Sequence, residues 1–369
     1  MTQRGTALVV TLGIIMVLLP LGAYLVLQCR TDLMIQRNFR NEVEAFYVAE
    51  AGLEHAVAEI RPDQSFDEVL AGPDGVAGTA DDGLFPFSEG ATRDFPYSPF
   101  HYDVQVTRTA TNSLSILSRA TGKDGATKVV GALVSRSPLA FTPAALYVQS
   151  NMGRMELGTG TFLLSGFDHG LGDAPENASG IGAPVPALGG PNRDAESALR
   201  NHLPGESAQR FLGAGGPPSI VVTPPFDAGA LASRFADQPQ CARFGAVTCG
   251  ESMGLGTPQV PQISVVTGDV DVQGRFTGNG ILIVHGTLHV SGTFDFTGIV
   301  IAMGGLVFDS SSNVEIAGAL WQGVTEDERL RLLGTGAIMY SSRALAGVDD
   351  AFPGLLPHAA VVTGWVEEL

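Results

Sequence analysis

Apolar residues run without a charge from Ala7 to Leu27. At about 1.5 Å per residue, a helix of that length covers the ~30 Å of a bilayer core. A secretory signal has an apolar stretch of only about 7–15 residues and a small-x-small site behind it. Here Gln28, Cys29 and Arg30 follow, so the pattern predicts a retained membrane helix. Past that point the apolar positions change period rather than stop. Phe39, Val43, Phe46, Leu53, Val57 and Ile60 recur along one face, with Glu50 in the gap. This is a helical stripe with a near-heptad seam. Glu50 reads either as a carboxylate at the edge of the stripe reaching water, or as one paired with an arginine of its own or a neighbouring subunit. Pro20 and Gly22 are placed to kink the membrane half, and Arg61-Pro62 ends the run. The expectation is one helix over 6–60, with 7–27 in lipid.

Beyond Pro62 the periodicity lapses. Residues 61–100 read as an acidic, Gly-rich loop containing GPDGVAGTADDG at 72–83. Three runs follow, HYDVQVTRTA, SLSILSRATG and ATKVVGALVSR, with the alternation and β-branched content of strands. KDG at 123–125 is spaced as a tight hairpin turn. Residues 101–136 are thus expected to form a small antiparallel meander, which with the long helix makes an α+β arrangement.

From 137 to 369 the strands shorten and glycine punctuates them. GILIVHG begins at Gly280, GIVIAMG at Gly298, GALWQG at Gly318 and GAIMYSS at Gly336, in steps of 18, 20 and 18 residues. A period near 20 with glycine at corners predicts a β-solenoid. A β-sandwich of evenly spaced hairpins is the alternative. Within this domain about 170–260 reads as an irregular insertion. TEDERLRLL at 325–333 reads as a helix start that interrupts or caps the stack, and AAVVTGWVEEL as an added edge strand.

Net charge is −17, and lysine occurs only at 123 and 128. Nucleic-acid binding needs a basic stripe, so it is not expected. Arg4 precedes the apolar run, whereas Arg30, Arg37 and Arg40 follow it. The positive-inside rule would keep the larger cluster in the cytoplasm, but long domains translocate regardless of such counts. The β-rich body is therefore expected outside the inner membrane. There Cys241 and Cys249, in QCARFGAVTCG, are placed to close a disulfide. Their spacing is not that of a zinc site. Cys29 reads as a small apolar residue at the membrane edge.

Chemistry-bearing patterns are sparse. No G-x-S-x-G occurs, and His55, His101, His169, His202, His285, His289 and His358 are scattered. His285 and His289 are four apart, which in a strand is about 13 Å, so surface or corner positions are the default. Polysaccharide-active solenoids use clustered carboxylates with basic residues. Asp269, Asp271 and Arg275, or Asp295 and Asp309, fit that description only loosely, because nothing in the spacing sets two of them at catalytic separation. The chain is expected to be non-enzymatic. In the loop at 72–83, Asp74, Asp81 and Asp82 offer hard oxygens for calcium, although the EF-hand pattern is missing. The alternative is a solvated acidic turn.

Arg4-Gly5 before an apolar helix starting at Thr6, together with FYVAEAGLEHA at 46–56, resembles the N-terminal part of PilX-type minor pilins. MYSSRAL in the glycine-punctuated repeat also looks like the distal domain of some large pilus-assembly proteins. The resemblance implies cleavage between Gly5 and Thr6 by a prepilin peptidase, methylation of the new amine, and a single-pass inner-membrane protein with its C-terminal part in the periplasm. It further implies assembly with other minor pilins and the assembly platform, and a tip adhesin as a further partner. The helix residues Val10, Phe39, Val43, Phe46, Glu50, Leu53 and Val57 would carry assembly. Pilins usually have Glu at the fifth mature position, and Val10 stands there. A charge in lipid is costly unless paired, so its loss suits a priming subunit at the fibre end. A GspK-like pseudopilin of type II secretion, which also lacks this Glu, is the alternative, and a membrane-tethered polysaccharide-active enzyme a more distant one.

Overall fold

The structure, a computed structural model, describes residues 3–87, 92–96, 98–110, 112–149, 154–158, 162–201, 203, 207–223, 226–323 and 329–368. Contacts along the chain gather into two units. The first comprises Met1–Ile60, Ser65–Ser135 and Val361–Leu369, and the second Arg61–Gln64 and Arg136–Ala360. The C-terminal residues therefore return to the first unit instead of ending the solenoid, as the expected boundary at 137 had it.

In the first unit a helix, α1 (Gln3–Glu59), contains Pro20 and runs on to the expected end. A five-stranded sheet has the order Thr92–Asp94, His101–Ala110, Ser113–Thr121, Thr127–Ala140, His358–Glu368. The three expected strands pair antiparallel. KDG forms a single 3-10 turn in which Gly125 takes φ +76. Alternation works as read: Tyr102, Val104, Val106, Leu114, Ile116, Val130, Ala132 and Val134 are buried. The final strand is an edge strand, but of this sheet and not of the solenoid. The segment 61–100 carries more order than a loop, with a short helix Phe66–Leu70 capped by the Ser65 hydroxyl.

The second unit is a three-sided parallel stack. One side contains Gln262–Val266, then the second halves of Arg275–Val284, Thr293–Ala302 and Asn313–Gln322. A second side runs through Val247–Cys249, Val270–Val272, Leu288–Val290, Leu306–Phe308, Arg329–Leu332 and Arg154–Leu157. The third is built on Ser252–Leu255 and the first halves of the ten-residue strands. Each long strand turns its corner at Gly280, Gly298 or Gly318, which lie in register with one another at φ +117, +125 and +139. Inward side chains stack like on like. Val270, Leu288, Leu306 and Leu330 form one column, and Phe276 stacks on Phe294 with ring centres 5.0 Å apart. All are fully or almost fully buried, each contributing about 1.5–3 kcal/mol by leaving water.

Three expectations about this unit are corrected. Gly336 does not extend the glycine column: it pairs with Val314, and Tyr340 sits opposite Gly318. Continuation of the column would need an 18-residue step, and the last coil is longer. The segment Arg329–Leu332 of TEDERLRLL is a strand, because Leu330 and Leu332 alternate inward to continue the Leu306 and Phe308 columns; residues 325–328 lie outside the described residues. Finally, the last part of 170–260 is solenoid rather than insertion. Ala242–Phe244, Val247–Cys249 and Ser252–Leu255 form a complete coil at one end.

At the other end the order of the stack departs from the order of the chain. Leu146–Val148, Arg154–Leu157 and Leu163–Ser165 lie on the coil made by residues 320–340. Leu188–Gly190, Phe211–Leu212 and Ile220–Val222 continue from there. Trp321 is fully buried in this region, and its Nε1–H donates to the Thr142 hydroxyl at 3.0 Å. Arg136 ties the segments that bound the unit, donating to the carbonyls of Arg61, Gln64 and His358.

Candidate assembly helix

The two halves of α1 meet different surroundings. From Leu12 to Arg40 every described side chain is exposed, and the segment has an 18-residue window of mean hydropathy 2.2 with none of it buried. A helix this long and apolar meets the length requirement for crossing a bilayer. Gly5, Thr6 and Val10 fall in its first turns, and their side chains lie outside the described residues.

The second half packs on the sheet through only part of the expected seam, Leu53 and Ile60. The buried face is Ala45, Val48, Ala49, Gly52, Leu53, Ala56 and Ile60. Phe39 is 66 % and Val43 37 % exposed, while Phe46, Glu50 and Val57 are half-buried at the stripe's edge. The reason is distance. Ala45, Ala49, Gly52 and Ala56 make a ridge of small residues, so the backbone comes close to the sheet. A Cβ at Gly52 would stand 2.5 Å from both the Ser118 hydroxyl and the Tyr102 ring. Large residues flank this ridge at Val48, Leu53 and Ile60, while Phe39 and Val43, nearer the membrane half, are left facing away. The i, i+4, i+7, i+11 spacing of these small residues was the available signal, and weighting by hydrophobicity alone misses it.

Polar contacts then hold the register of helix and sheet. His55 Nδ1 is 2.8 Å from the Tyr102 hydroxyl and its Nε2 3.2 Å from Glu59. The imidazole stacks on Phe87 at 4.7 Å. Ser98 donates to Glu44 at 2.8 Å, and Lys128 lies 3.7 Å from Glu42. Burial pushes the Tyr102 phenol up, Arg93 opposes this and Glu59 adds to it.

The loop at 72–83 does bring Asp74, Asp81 and Asp82 together, around a residue the sequence reading passed over. The Thr79 hydroxyl lies 2.6 Å from Asp81 Oδ1, 3.3 Å from Asp82 Oδ1 and 3.4 Å from Asp74 Oδ1. Backbone N–H groups of Asp74, Val76 and Gly78 donate to the same carboxylates. The Thr79 hydrogen bond is the main reason the Asp81 carboxyl titrates below its ordinary value. The oxygens are thus turned onto the loop's own donors, and a cation would enter only by displacing them. Among the described residues no group of three or more His, Cys, Asp or Glu is placed to hold a metal ion. Thr79→Val is expected to raise the Asp81 pKa back toward the usual carboxylate value and to speed proteolysis of the loop, as read by carboxyl NMR titration and limited digestion.

The expected Cys241–Cys249 bridge is not formed; both are free thiols. Cys241 precedes a strand of one side of the solenoid, whereas Cys249 ends a strand of the next side, buried with its Sγ 3.4 Å from the Arg275 carbonyl. Short spacing in sequence is spent on turning the corner between them. Of the carboxylates considered for catalysis, Asp271 and Asp309 meet on the two ring nitrogens of His289, and the others lie apart from them. Asp269 accepts from the Thr287 N–H at 2.7 Å. Asp295 lies opposite Glu315, whose carboxyl is raised first by burial and then by that neighbour. His285 is exposed, but His169 is no surface residue: it is buried with Nε2 2.8 Å from the Ser165 hydroxyl, and burial lowers its pKa. His202 lies outside the described residues.

No protein-family model and no curated protein matches the chain. Among solved structures, the competence-associated pilin ComZ from Thermus thermophilus matches over 89 % of this chain and 97 % of its own, at 13 % identity and a TM-score of 0.21. A likeness of that order leaves the functional reading to the chain's own geometry.

Proposed function

We propose that the chain is a non-catalytic minor pilin that primes type IV pilus assembly and sits at or near the pilus tip, presenting its solenoid to partners. The observation that carries this reading is the division of α1: a bare, membrane-length apolar half continuous with a half seated on an antiparallel sheet. The exposed Phe39 and Val43 supply an apolar continuation of the lipid-facing surface for packing against other subunits. Val10 supports the end position, since an apolar side chain there needs no charged partner in lipid. On this reading the partners are the inner membrane, a prepilin peptidase, other minor pilins and the assembly platform, with a tip adhesin as a further one. The same valine favours a GspK-like pseudopilin as the second reading, and labelling of sheared pili against secretion pseudopili separates the two.

Gly5→Leu is the direct test of processing. The wild-type protein extracted from membranes should begin at Thr6 by N-terminal sequencing, and the variant should keep its leader. A wild-type N-terminus at Met1 would overturn the assignment.

A further inference from the structure

The outward positions on the second side of the solenoid form a charged ladder. Asp271 lies directly opposite His289 in the parallel register. His289 Nδ1 is 2.9 Å from Asp271 Oδ1, and its Nε2 is 2.8 Å from Asp309 Oδ2. The other oxygen of Asp309 is 3.4 Å from the Arg331 guanidinium, whose Nε is 2.8 Å from Glu156. Charges alternate from coil to coil along this line. The in-register neighbour of His289 on the far coil is Val307, so Asp309 reaches back from the corner beyond Phe308. The Asp271 carboxylate also accepts from Gln273 at 2.7 Å, and the backbone of Asp309 is fixed by its N–H, which donates to the Val290 carbonyl at 2.9 Å.

A neutral imidazole has one N–H, and an ionised carboxylate only accepts. Both short contacts are hydrogen bonds at once only if the ring carries two protons. The two acids also lie on opposite ring nitrogens, so they share no centre where a metal ion would sit. We propose that His289 is a pH-operated clip that fastens three successive coils of the solenoid while its imidazole is charged and lets go when it is neutral. On release one of the two bonds loses its proton, and Asp271 and Asp309 lose the cation between them.

Titration follows the geometry. Burial pulls the His289 pKa down, but the hydrogen bonds and charges of Asp309 and Asp271 outweigh it, and the net value lies above the ordinary 6.5. A folded value above the unfolded one gives stabilisation that is complete below the unfolded pKa and lost as pH rises through the folded one. The clip is therefore shut below the ordinary histidine value and opens as pH rises through the higher folded one. The core columns behind it do not titrate, so the response stays on this side of the stack.

The test uses the full-length protein in detergent micelles with its histidine Cε1 positions labelled for NMR, the His289 signal being assigned by its loss in His289→Gln. In the wild type His289 should titrate above 6.5. Asp271→Asn and Asp309→Asn should each move its midpoint down. The fall in Tm between about pH 5 and about pH 9 should be smaller in His289→Gln than in the wild type. A His289 midpoint at or below 6.5, or one unmoved by either asparagine, overturns the proposal. If one asparagine variant does not fold, the other and the wild-type midpoint still decide.

Discussion

Gly298→Ala should unfold the solenoid under conditions where the wild type is intact. Gly298 has φ +125, and a Cβ there would fall on the carbonyl oxygen of Gly280 and 3.1 Å from Val348 Cγ2. The backbone conformation alone costs an L-residue about 1–3 kcal/mol, and overpacking adds about the same again. Against a total of about 5–15 kcal/mol for a domain, the urea midpoint should fall steeply. Neither neighbour has room to yield. The Gly280 carbonyl belongs to the coil before, and Val348 is buried on the helix Ser342–Ala351. The same substitution at Gly347, one residue away from Val348, should act in the opposite direction. Gly347 is helical, exposed and has nothing within 4 Å of its would-be Cβ, so alanine there should stabilise by up to about 1 kcal/mol. Equal losses at both positions would show that the corner column is not what sets the coil geometry.

The second large effect is expected at Gly52. Leucine there must displace Tyr102 and Ser118, and Tyr102 is buried and hydrogen-bonded to His55. Lifting α1 off the sheet exposes Val48, Leu53, Val104 and Ile116 to water, so a loss of about 3 kcal/mol or more is expected. Amide exchange should quicken in His101–Ala110 and Ser113–Thr121 but not in Leu288–Val290 or Leu306–Phe308. Phe39→Ala, on the exposed face, should leave both sets unchanged. Uniform exchange in Gly52→Leu and wild type would mean that the small-residue ridge is not the contact.

The glycines at 280, 298 and 318 were readable because a corner that needs positive φ repeats with the coil. So were α1, from the change of period at Leu27, and the three central strands, from their alternation. The face of α1 that meets the sheet was only partly readable from hydrophobicity, at Leu53 and Ile60. Close approach selects for small size, and Phe39 and Val43 outscore Ala45 and Ala49 on any hydrophobic scale while making poorer neighbours for a sheet. The place of Leu146–Val148 was out of reach for a different reason. A three-residue strand has no period, and its partner at Leu320–Gln322 is far away in sequence. The Asp271–His289–Asp309 line was hidden similarly: its members are 18 and 20 residues apart and meet only once the register of the stack is known. The cysteine pair failed because closeness along the chain was taken for closeness in space.

The inverted order of the stack bears on synthesis. The coil made by residues 146–165 rests on the one made by 320–340, so the platform it needs is built long after it. A chain emerging from its N-terminus carries Leu146, Tyr147, Leu164 and their neighbours with no surface to cover them until the far end of the domain has been made. Long-range contacts of this kind slow folding and keep apolar segments open to wrong partners. Any truncation near residue 320 would strand the earliest strands of the domain rather than the latest.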